Sequence, residues 1–521
     1  MERSMEHQAK AGQEAKPGQP QWLGVDRYSW YVLGVLVLVY FVNFIDRQLL
    51  TILAVDIKRD LSITDSQFGF LYGTAFGVFY ALFGIPLGKL ADRWSRVRLL
   101  TWGLTLWSAM TVFSGLSRNF TQLGLARVGV GVGEATAGPC AYSMLSDYFP
   151  PHRRATAVAI YSSGIYIGGG LALLLGTSIS GAWDHAFLPG SRPFGFAGWQ
   201  AAFLAVGLPG LLLAVWVRKL REPIRGFWES PRPAAPEPAT WSAFVRDLGT
   251  IVPPFTMLAA ARRGPMALAG NVLTLGAVVL AAMGLTAWLG DPVQWIAIGI
   301  GVYAVASWAV ALRHNDGEAF KVIWATPSVV GLNIGYGLIC VISYASSAFG
   351  PLYGMRVFGG DPGTVALIFG AGGAAGGALG VIAGGVLGDK VAESGQNSRR
   401  VLVVMGAFTV SLIPNLIMLT TQSITVAYLA VFPLWFCLSA ALGSGSGVLV
   451  SIVPASVRAT ATAAFLLSAT MIGLAMGPYA AGRISHAFDS LRIGLTGLLV
   501  VVPFALLALY ISWRDLKRKE A

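Results

Sequence analysis

The hexapeptide GKLADR at residues 88–93 returns as GVLGDK at residues 385–390, and this echo decides the fold. Each copy follows the second long apolar run of its half of the chain. A second echo agrees with the first, because RATA at residues 154–157 returns as RATA at residues 458–461, each time shortly after a proline. Two echoes in the same order indicate that one set of helices has been duplicated within the chain.

The composition indicates that lipid, and not water, is the main solvent of this fold. Of the 521 residues, 55% are hydrophobic and 12% are charged, and the mean hydropathy is +0.64. A soluble domain carries about a quarter charged residues. Apolar runs of about twenty residues, the length that crosses a hydrocarbon core of ~30 Å, recur along the chain. We therefore predict an all-α integral membrane protein.

About fourteen transmembrane helices are predicted, as two pseudo-symmetric six-helix bundles with two extra helices inserted between them. The domains that follow are a cytoplasmic tail at 1–25, an N-terminal bundle at 26–220, a cytoplasmic linker with the two inserted helices at 221–321, a C-terminal bundle at 322–513 and a basic cytoplasmic tail at 514–521. Because the insertion has an even number of helices, the second bundle keeps its orientation in the membrane.

The net charge of +12 follows the positive-inside rule, because most lysines and arginines cluster in short loops on one side of the predicted bundle. They form no basic domain of the kind that binds nucleic acid. This asymmetry predicts that both termini face the cytoplasm of a cell inner membrane. The three cysteines are far apart in apolar segments, so we expect neither a disulfide framework nor a metal site.

Three motifs carry a resemblance to a known family. GKLADRWSRVR at residues 88–98 resembles the signature loop of the major facilitator superfamily, and NFIDR at 43–47 with RVGVGVGEA at 127–135 resembles the Spinster family within it. The resemblance covers the whole chain except the inserted pair, which departs from the twelve-helix Spinster plan. It implies two bundles around a cavity that opens alternately to each side, and proton-linked export of lysolipids such as lysophospholipids or sphingosine phosphate.

Four ionisable residues lie inside predicted spans, where a charge at the helix centre costs at least ~2.5 kcal/mol. Asp46 and Arg47 belong to the first helix, and Arg127 and Glu134 lie seven residues apart on one face of the fourth. If these helices face one cavity, Asp46 can pair with Arg127. Burial favours a neutral carboxyl and a nearby arginine favours a charged one, so a movement that breaks an arginine contact can load or unload a proton at Glu134. The alternative is a set of fixed ion pairs with no part in transport.

Asp46 and Glu134 are therefore the predicted proton-coupling residues. An amphipathic anion needs a cation for its head group and apolar walls for its tail. The residues predicted to bind it are Arg47, Arg127, Phe44, Tyr72, Tyr142 and Tyr336. The echoed loops predict a cytoplasmic gate, formed by Gly88, Asp92, Arg93, Arg96 and Asp389.

Glycines recur every four residues in two predicted helices, at 69, 73 and 77 and again at 372, 376, 380, 384 and 388. Four-residue spacing places them on one helix face, where small residues let helix backbones approach closely. Such a face suits helices that slide between two states, but static tight packing predicts the same pattern.

Other functions are disfavoured by what the sequence lacks. All five histidines lie in tails, loops or helix ends, so there is no constellation typical of an enzyme, and no phosphate-binding loop for ATP-driven transport. We predict a monomeric, cofactor-free carrier that moves a lysolipid or another amphipathic anion with protons by alternating access within membrane lipid. The alternatives are a symporter or exporter of a small organic acid, and a transport-incompetent sensor of the same fold.

Overall fold

The computed structural model describes residues 26–188, 191–225, 227, 245, 248–249, 251–392, 396–454 and 457–520, and within them it contains helices and no strand. The predicted tail at 1–25 lies outside the described residues. The described part holds fourteen long helices, numbered in chain order. They are α1 Arg27–Ile52, α2 Asp65–Ala91, α3 Arg96–Leu116, α4 Phe120–Glu134 with Ala137–Tyr148, α5 Pro151–Ala186, α6 Gly198–Val217, α7 Pro265–Leu289, α8 Pro292–His314, α9 Pro327–Phe358, α10 Pro362–Gly388, α11 Asn397–Thr420, α12 Ile424–Leu449, α13 Thr460–Ala487 and α14 Leu491–Glu520.

The predicted architecture of about fourteen spans is confirmed. Within the residues that the structure describes, twelve helices are each long and apolar enough to cross a membrane. The other two are α4, which is broken into two shorter helices, and α5, which extends over 36 residues. Helices α1–α6 form the N-terminal bundle and α9–α14 the C-terminal bundle, while α7 and α8 form an inserted hairpin.

The break in α4 follows from its sequence. Pro139 has no backbone N–H and cannot donate to the carbonyl of Ala135, so the regular ladder is interrupted there. The first half of the helix ends at Glu134, and the second begins at Ala137. Glu134, a carboxylate that the sequence places within the membrane span, therefore lies at the C-terminus of the first half of α4.

The two bundles are in contact at the end of the molecule that carries Asp65, which we call the Asp65 end. Here α2 runs against α13, and a β-carbon at Gly73 would collide with the carbonyl oxygen of Leu474. The Thr74 hydroxyl donates to the carbonyl of Ala475 across the same seam, at 2.7 Å. Further along α2, a β-carbon at Gly84 would meet no described atom within 4 Å. The bundles therefore close at the Asp65 end and diverge toward the opposite end, which carries Arg96 and which we call the Arg96 end.

A second seam joins α5 to α10 on the other side of the molecule. A β-carbon at Gly370 would lie 2.6 Å from the carbonyl oxygen of Gly170, so the two backbones touch. Both seams cross at π-helical turns, which are wider than an α turn. These turns are Phe70–Thr74 in α2, Ile368–Gly372 in α10 and Ala469–Leu474 in α13.

The two glycine rows predicted from sequence differ in what they contact. The row on α2 faces α13 in the other bundle, as at Gly73. On α10, β-carbons at Gly376 and Gly380 would collide with backbone atoms of α12, which belongs to the same bundle. One row therefore lies at the interface between bundles, and the other serves static packing within a bundle.

The stretch predicted as a basic tail at 514–521 is helical up to Glu520. Lys519 pairs with Asp515 at 2.7 Å, an i,i+4 ion pair that supports the last turns. The side chain of Glu520 accepts from the backbone N–H of Ser398 at 3.0 Å, which fixes the end of α14 to the start of α11.

Candidate functional site

A cavity of about 420 Å³ lies between the two bundles, toward their closed end. Of the described residues that line it, the charged ones are Arg47 and Arg127, both from the N-terminal bundle. The C-terminal bundle contributes hydroxyl groups, glycines and aromatic rings. The hydroxyl-bearing residues of that wall are Ser343, Tyr344, Ser346, Ser347, Tyr336, Ser439 and Thr470.

Arg47 of α1 forms an ion pair with Glu134 of α4 at the cavity wall. Its Nε donates to Glu134 Oε2 at 2.6 Å, and a terminal nitrogen lies at the same distance. The arginine side chain is 18% exposed, whereas that of Glu134 is fully buried. The cation can therefore be reached from the cavity, and the carboxylate lies behind it.

Asp46 and Arg127 form the second pair between the same two helices. Arg127 Nη1 lies 3.4 Å from Asp46 Oδ2, and both side chains are 1% exposed. The structure thus places together the two residues that the sequence suggested could pair. Glu134 pairs with Arg47 of α1 and not with Arg127 of its own helix. Both ion pairs therefore join α1 to α4.

Aromatic rings surround the accessible cation. The Arg47 guanidinium carbon lies 4.4 Å from the centroid of Phe76, 4.9 Å from that of Phe44 and 5.1 Å from that of Tyr80. Phe76 also lies 5.5 Å below the guanidinium of Arg127. Cation–π attraction holds a desolvated arginine in place without neutralising its charge. Arg47 therefore remains able to bind an anion.

A polar contact crosses the cavity beside this cluster. Gln48 Nε2 and the Tyr72 hydroxyl both donate to Ser347 Oγ, each at 3.1 Å. Gln48 and Tyr72 belong to α1 and α2, whereas Ser347 belongs to α9. The residue next to Arg47 is thus bonded directly to the other bundle.

The predicted substrate-binding residues are mostly found at this cavity. Arg47, Arg127, Phe44, Tyr72 and Tyr336 all border it. The exception is Tyr142, which is 43% exposed and packs edge-on against Tyr161 with ring centroids 5.5 Å apart.

Sequence reasoning missed Gln48 and Ser347. Neither carries a charge, and uncharged polar residues are too common in these helices to single out. The adjacency of Gln48 to the NFIDR motif is the one signal that could have found it.

The closure at the Asp65 end was also missed. Asp65 is 4% exposed and accepts from Ser485 Oγ at 2.7 Å, lies 2.8 Å from Nη1 of Arg356 and pairs with Lys58. Ser485 and Arg356 belong to the C-terminal bundle, so one carboxylate joins both bundles. From sequence, Asp65 shows only as the first residue of a helix whose capping box is formed by Thr64 with Gln67 three residues later.

The predicted gate residues lie at the Arg96 end. Arg96 is fully buried, and its partners, Ser143, Asp147, Glu222 and the carbonyl of Pro223, all belong to the N-terminal bundle and its linker. Among the residues that the structure describes, a β-carbon at Gly88 would meet only Pro139 of the same bundle, at 3.8 Å. Arg93 is the last residue of the α-helical segment Ala75–Arg93, which continues α2 two residues beyond its apolar span. The side chains of Asp92 and Asp389 lie outside the described part, so a latch between the bundles at these positions stays a prediction.

Two duplicated bundles around a charged cavity, closed at one end and diverging at the other, define a secondary transporter of the membrane, and not an enzyme. A family model described as Major Facilitator Superfamily matches residues 36–353. The chain belongs to that superfamily.

Similar proteins agree with this assignment. An "MFS-type efflux pump" of Mycolicibacterium smegmatis is 25% identical over 94% of this chain and 92% of its own length. The "Probable L-galactonate transporter" of Escherichia coli is 28% identical over 33% of this chain and 35% of its own length. The "Protein spinster" of Drosophila melanogaster is 26% identical over 39% of this chain and 32% of its own length.

Among solved structures, a bacterial homolog of the human lysosomal transporter Spinster, in an inward-facing and unoccupied conformation, is similar to this chain. It has a TM-score of 0.71 and 26% identity over 95% of this chain and 98% of that one. The resemblance to the Spinster family drawn from the sequence motifs is confirmed.

Proposed function

We propose that this protein is a proton-coupled secondary transporter that moves an organic anion by alternating access. The observation that carries the proposal is the Arg47–Glu134 ion pair, in which the arginine is accessible from the cavity and the carboxylate is fully buried. An anion that enters the cavity competes with Glu134 for the same guanidinium, and the outcome of that competition decides whether the carboxyl carries a proton.

The coupling follows from the cost of an unpaired buried charge. When an anion binds Arg47, Glu134 loses its partner, and an uncompensated carboxylate in an apolar site is costly by several kcal/mol. Taking up one proton removes that cost. The anion and the proton are then bound together, and their charges cancel, so the loaded cavity can change its access without moving net charge across the membrane.

Asp46 and Arg127 serve a different role in this scheme. Because Arg127 is already paired and both side chains are 1% exposed, this pair fixes α1 against α4 when Glu134 moves. Asp46 is the second site for a proton, reached only if Arg127 is drawn toward the substrate.

The preferred substrate class is an amphipathic anion such as a lysolipid. The aromatic wall of Phe44, Phe76, Tyr72 and Tyr80 beside Arg47 offers apolar surface next to the charge, as an acyl chain beside a phosphate requires. A small organic acid is the second candidate. The cavity of about 420 Å³ is large enough for a sugar acid, and one similar protein is named for L-galactonate.

We further propose that the Arg96 end faces the cytoplasm of a bacterial inner membrane, together with both termini. The support is the concentration of lysines and arginines in the loops at this end, which the positive-inside rule assigns to the cytoplasm. In this orientation the described conformation is open inward, and transport requires the Asp65 end to open in turn. We expect a single chain to suffice, because one chain supplies both bundles and the cavity between them.

The test is reconstitution into proteoliposomes with a pH-sensitive dye inside. Lysophospholipids and, separately, glucuronate are added to wild type, Glu134→Gln and Glu318→Gln, a matched control at an exposed position outside the cavity. We expect the substrate to move protons with wild type and Glu318→Gln, whereas Glu134→Gln still binds it but moves no protons.

Each other outcome changes the proposal in its own way. Proton movement with glucuronate alone would select the small-acid function. Equal proton movement by Glu134→Gln would refute the coupling role of this carboxyl. Binding of either ligand without any flux in wild type would favour a sensor of the same fold.

A further inference from the structure

The inserted hairpin α7–α8 lies outside the bundles, over the seam between α2 and α13. A β-carbon at Gly301 of α8 would lie 2.8 Å from the Met471 sulfur of α13 and 3.5 Å from a methyl group of Val78 on α2. A single residue of the hairpin therefore touches both bundles. Ala297 and Ala304, about one turn to either side, are also buried, so α8 presents a small-residue face that lies close against the seam.

The tip of the hairpin is attached to α13. Arg483 donates two hydrogen bonds to the carbonyl of Leu289, at 3.1 and 2.8 Å. The Tyr479 hydroxyl donates to Asp291 Oδ2 at 3.0 Å, and the Tyr479 ring packs edge-on against Trp295 with centroids 5.6 Å apart. These are directional bonds to a helix of the C-terminal bundle. By contrast, α8 packs along α2 through apolar contacts such as that of Gly301 with Val78.

The hairpin makes the two seams unequal. Helices α2 and α10 are equivalent in the duplication. Yet 72% of the most apolar 18-residue stretch of α2 is buried, compared with only 33% of that of α10. On the helices of the other seam, Ile167 of α5 is 49% exposed and Ile382 of α10 is 63% exposed. The α2–α13 seam has the hairpin between it and the lipid.

We propose that the α7–α8 hairpin is a strap that moves with the C-terminal bundle and seals the α2–α13 seam. When the Asp65 end opens, α2 slides along α8 while the tip stays bonded to α13. The seam between α5 and α10 is then the lateral opening through which an apolar tail can pass between cavity and bilayer. This last statement rests on the proposed transport of an amphipathic anion, whereas the movement of the strap does not.

Two disulfides that share one residue test the movement. The native cysteines Cys140, Cys340 and Cys437 are first replaced by alanine, and Gly301→Cys is then combined either with Met471→Cys or with Val78→Cys. Hydrogen exchange of the amides at residues 62–77, measured by mass spectrometry on the whole protein in lipid nanodiscs, reports opening of the Asp65 end without any substrate.

We expect the oxidised 301–471 pair to exchange like its reduced form, because both residues move together. The oxidised 301–78 pair should exchange at least ~5-fold more slowly, because opening is then blocked. Recovery on reduction shows that each variant is folded. Equal effects of the two disulfides, or slowing by the 301–471 pair alone, would overturn the strap. As a second variant, Arg483→Gln with Tyr479→Phe should raise exchange at residues 289–297, and no rise would show that α13 does not hold the tip.

The lateral opening is tested with a lysophosphatidylglycerol, a net anionic lysolipid, that carries a photoreactive diazirine in its acyl chain. Adducts on α5 and α10, with none on the facing sides of α2 and α13, are expected. Adducts on both seams would overturn the seal. If no adduct forms at the cavity or at either seam, the lysolipid substrate and the lateral opening fail together, while the disulfides still decide whether the strap moves with the C-terminal bundle.

Discussion

The two halves of this transporter share a carboxylate–serine contact at the Arg96 end and differ in the cavity. In the N-terminal half, Glu222 after α6 accepts from the Ser95 hydroxyl at the start of α3, at 2.7 Å. In the C-terminal half, Glu520 at the end of α14 bonds in the same way to Ser398 at the start of α11. We call this carboxylate–serine contact the duplicated cap. In each half it joins the end of the last helix of the bundle to the start of the third.

In the cavity, the charged residues that the structure describes all lie on the wall of the N-terminal half. The N-terminal wall carries Arg47 and Arg127 with their buried carboxylates, and the C-terminal wall carries hydroxyls and rings. The duplicated fold requires two bundles, but only one of them needs to carry the charged residues of the cavity. Under the proposed mechanism, the N-terminal half binds the anion and couples it to a proton, while the C-terminal half closes over what is bound.

The largest expected effect comes from removing the accessible cation. Arg47→Gln should reduce anion transport at least ~100-fold and leave Glu134 buried without a partner, which costs ~3–5 kcal/mol of folding free energy. The double variant Arg47→Gln/Glu134→Gln should recover most of the thermal stability and none of the transport. Ser343→Ala, on the opposite wall, should change transport only a few-fold. Comparable losses from both walls would break the division of roles.

The next effect concerns closure at the Asp65 end. Asp65→Asn weakens three interactions, including the 2.8 Å contact with Arg356 of the other half, and charged hydrogen bonds contribute ~1.5–3 kcal/mol each. We expect the cavity to become at least ~10-fold more reactive to an impermeant thiol reagent from this end. Labelling is read at Ser343→Cys in a chain whose native cysteines are replaced by alanine, because Cys340 lines the same cavity. The control is Glu318→Gln, at an exposed position outside this network. Unchanged labelling would place the closure elsewhere.

A smaller effect separates the two glycine rows. Gly73→Ala on α2 should shift the conformational equilibrium by a few-fold, because the added methyl group meets α13 of the other bundle only when the Asp65 end is closed. Gly380→Ala on α10 should instead lower the unfolding free energy by ~1–3 kcal/mol, because it overpacks the interior of one bundle. Thermal unfolding and thiol labelling together separate these outcomes, and identical behaviour of the two variants would erase the distinction.

The smallest expected effect is a pH dependence at the duplicated cap. Burial alone would raise the pKa of Glu222. Hydrogen bonds from the Ser95 hydroxyl, the Val97 N–H and Arg96 have the larger effect and lower it, so the pKa lies below its ordinary value of 4.5. A carboxyl with a lowered pKa stabilises the fold above its ordinary pKa, and this contribution is lost as pH falls through the lowered value. The unfolding temperature of wild type should therefore fall more steeply below about pH 4.5 than that of Glu222→Gln. Parallel curves would contradict this assignment.

The sequence was sufficient for the helices, the duplication and most charged members of the site. Apolar runs and rare intramembrane charges are visible one residue at a time, because lipid makes each of them costly to place. It was not sufficient for contacts that form between bundles. Asp65 reads as a helix start, and Ser347 as one serine among many, because their partners lie hundreds of residues away and carry no matching motif.

The crossed pairing within the site was also beyond the sequence. Arg47 could have paired with its neighbour Asp46, and Arg127 with Glu134 on its own helix face. Which pairs form depends on how α1 is rotated against α4, and apolar periodicity leaves that rotation undetermined in a helix that is apolar on all sides.

The π turn in α2 has a consequence for how this chain can vary. Phe70–Thr74 accommodates one more residue than an α ladder would. Deleting one residue within this turn would therefore return it to a regular α ladder and leave Phe76 and Tyr80 facing Arg47. The same deletion within the regular stretch Ala75–Arg93 would turn every later residue by about 100° about the helix axis. The π turn is thus a place where α2 can lose a residue without reassigning the side chains beyond it.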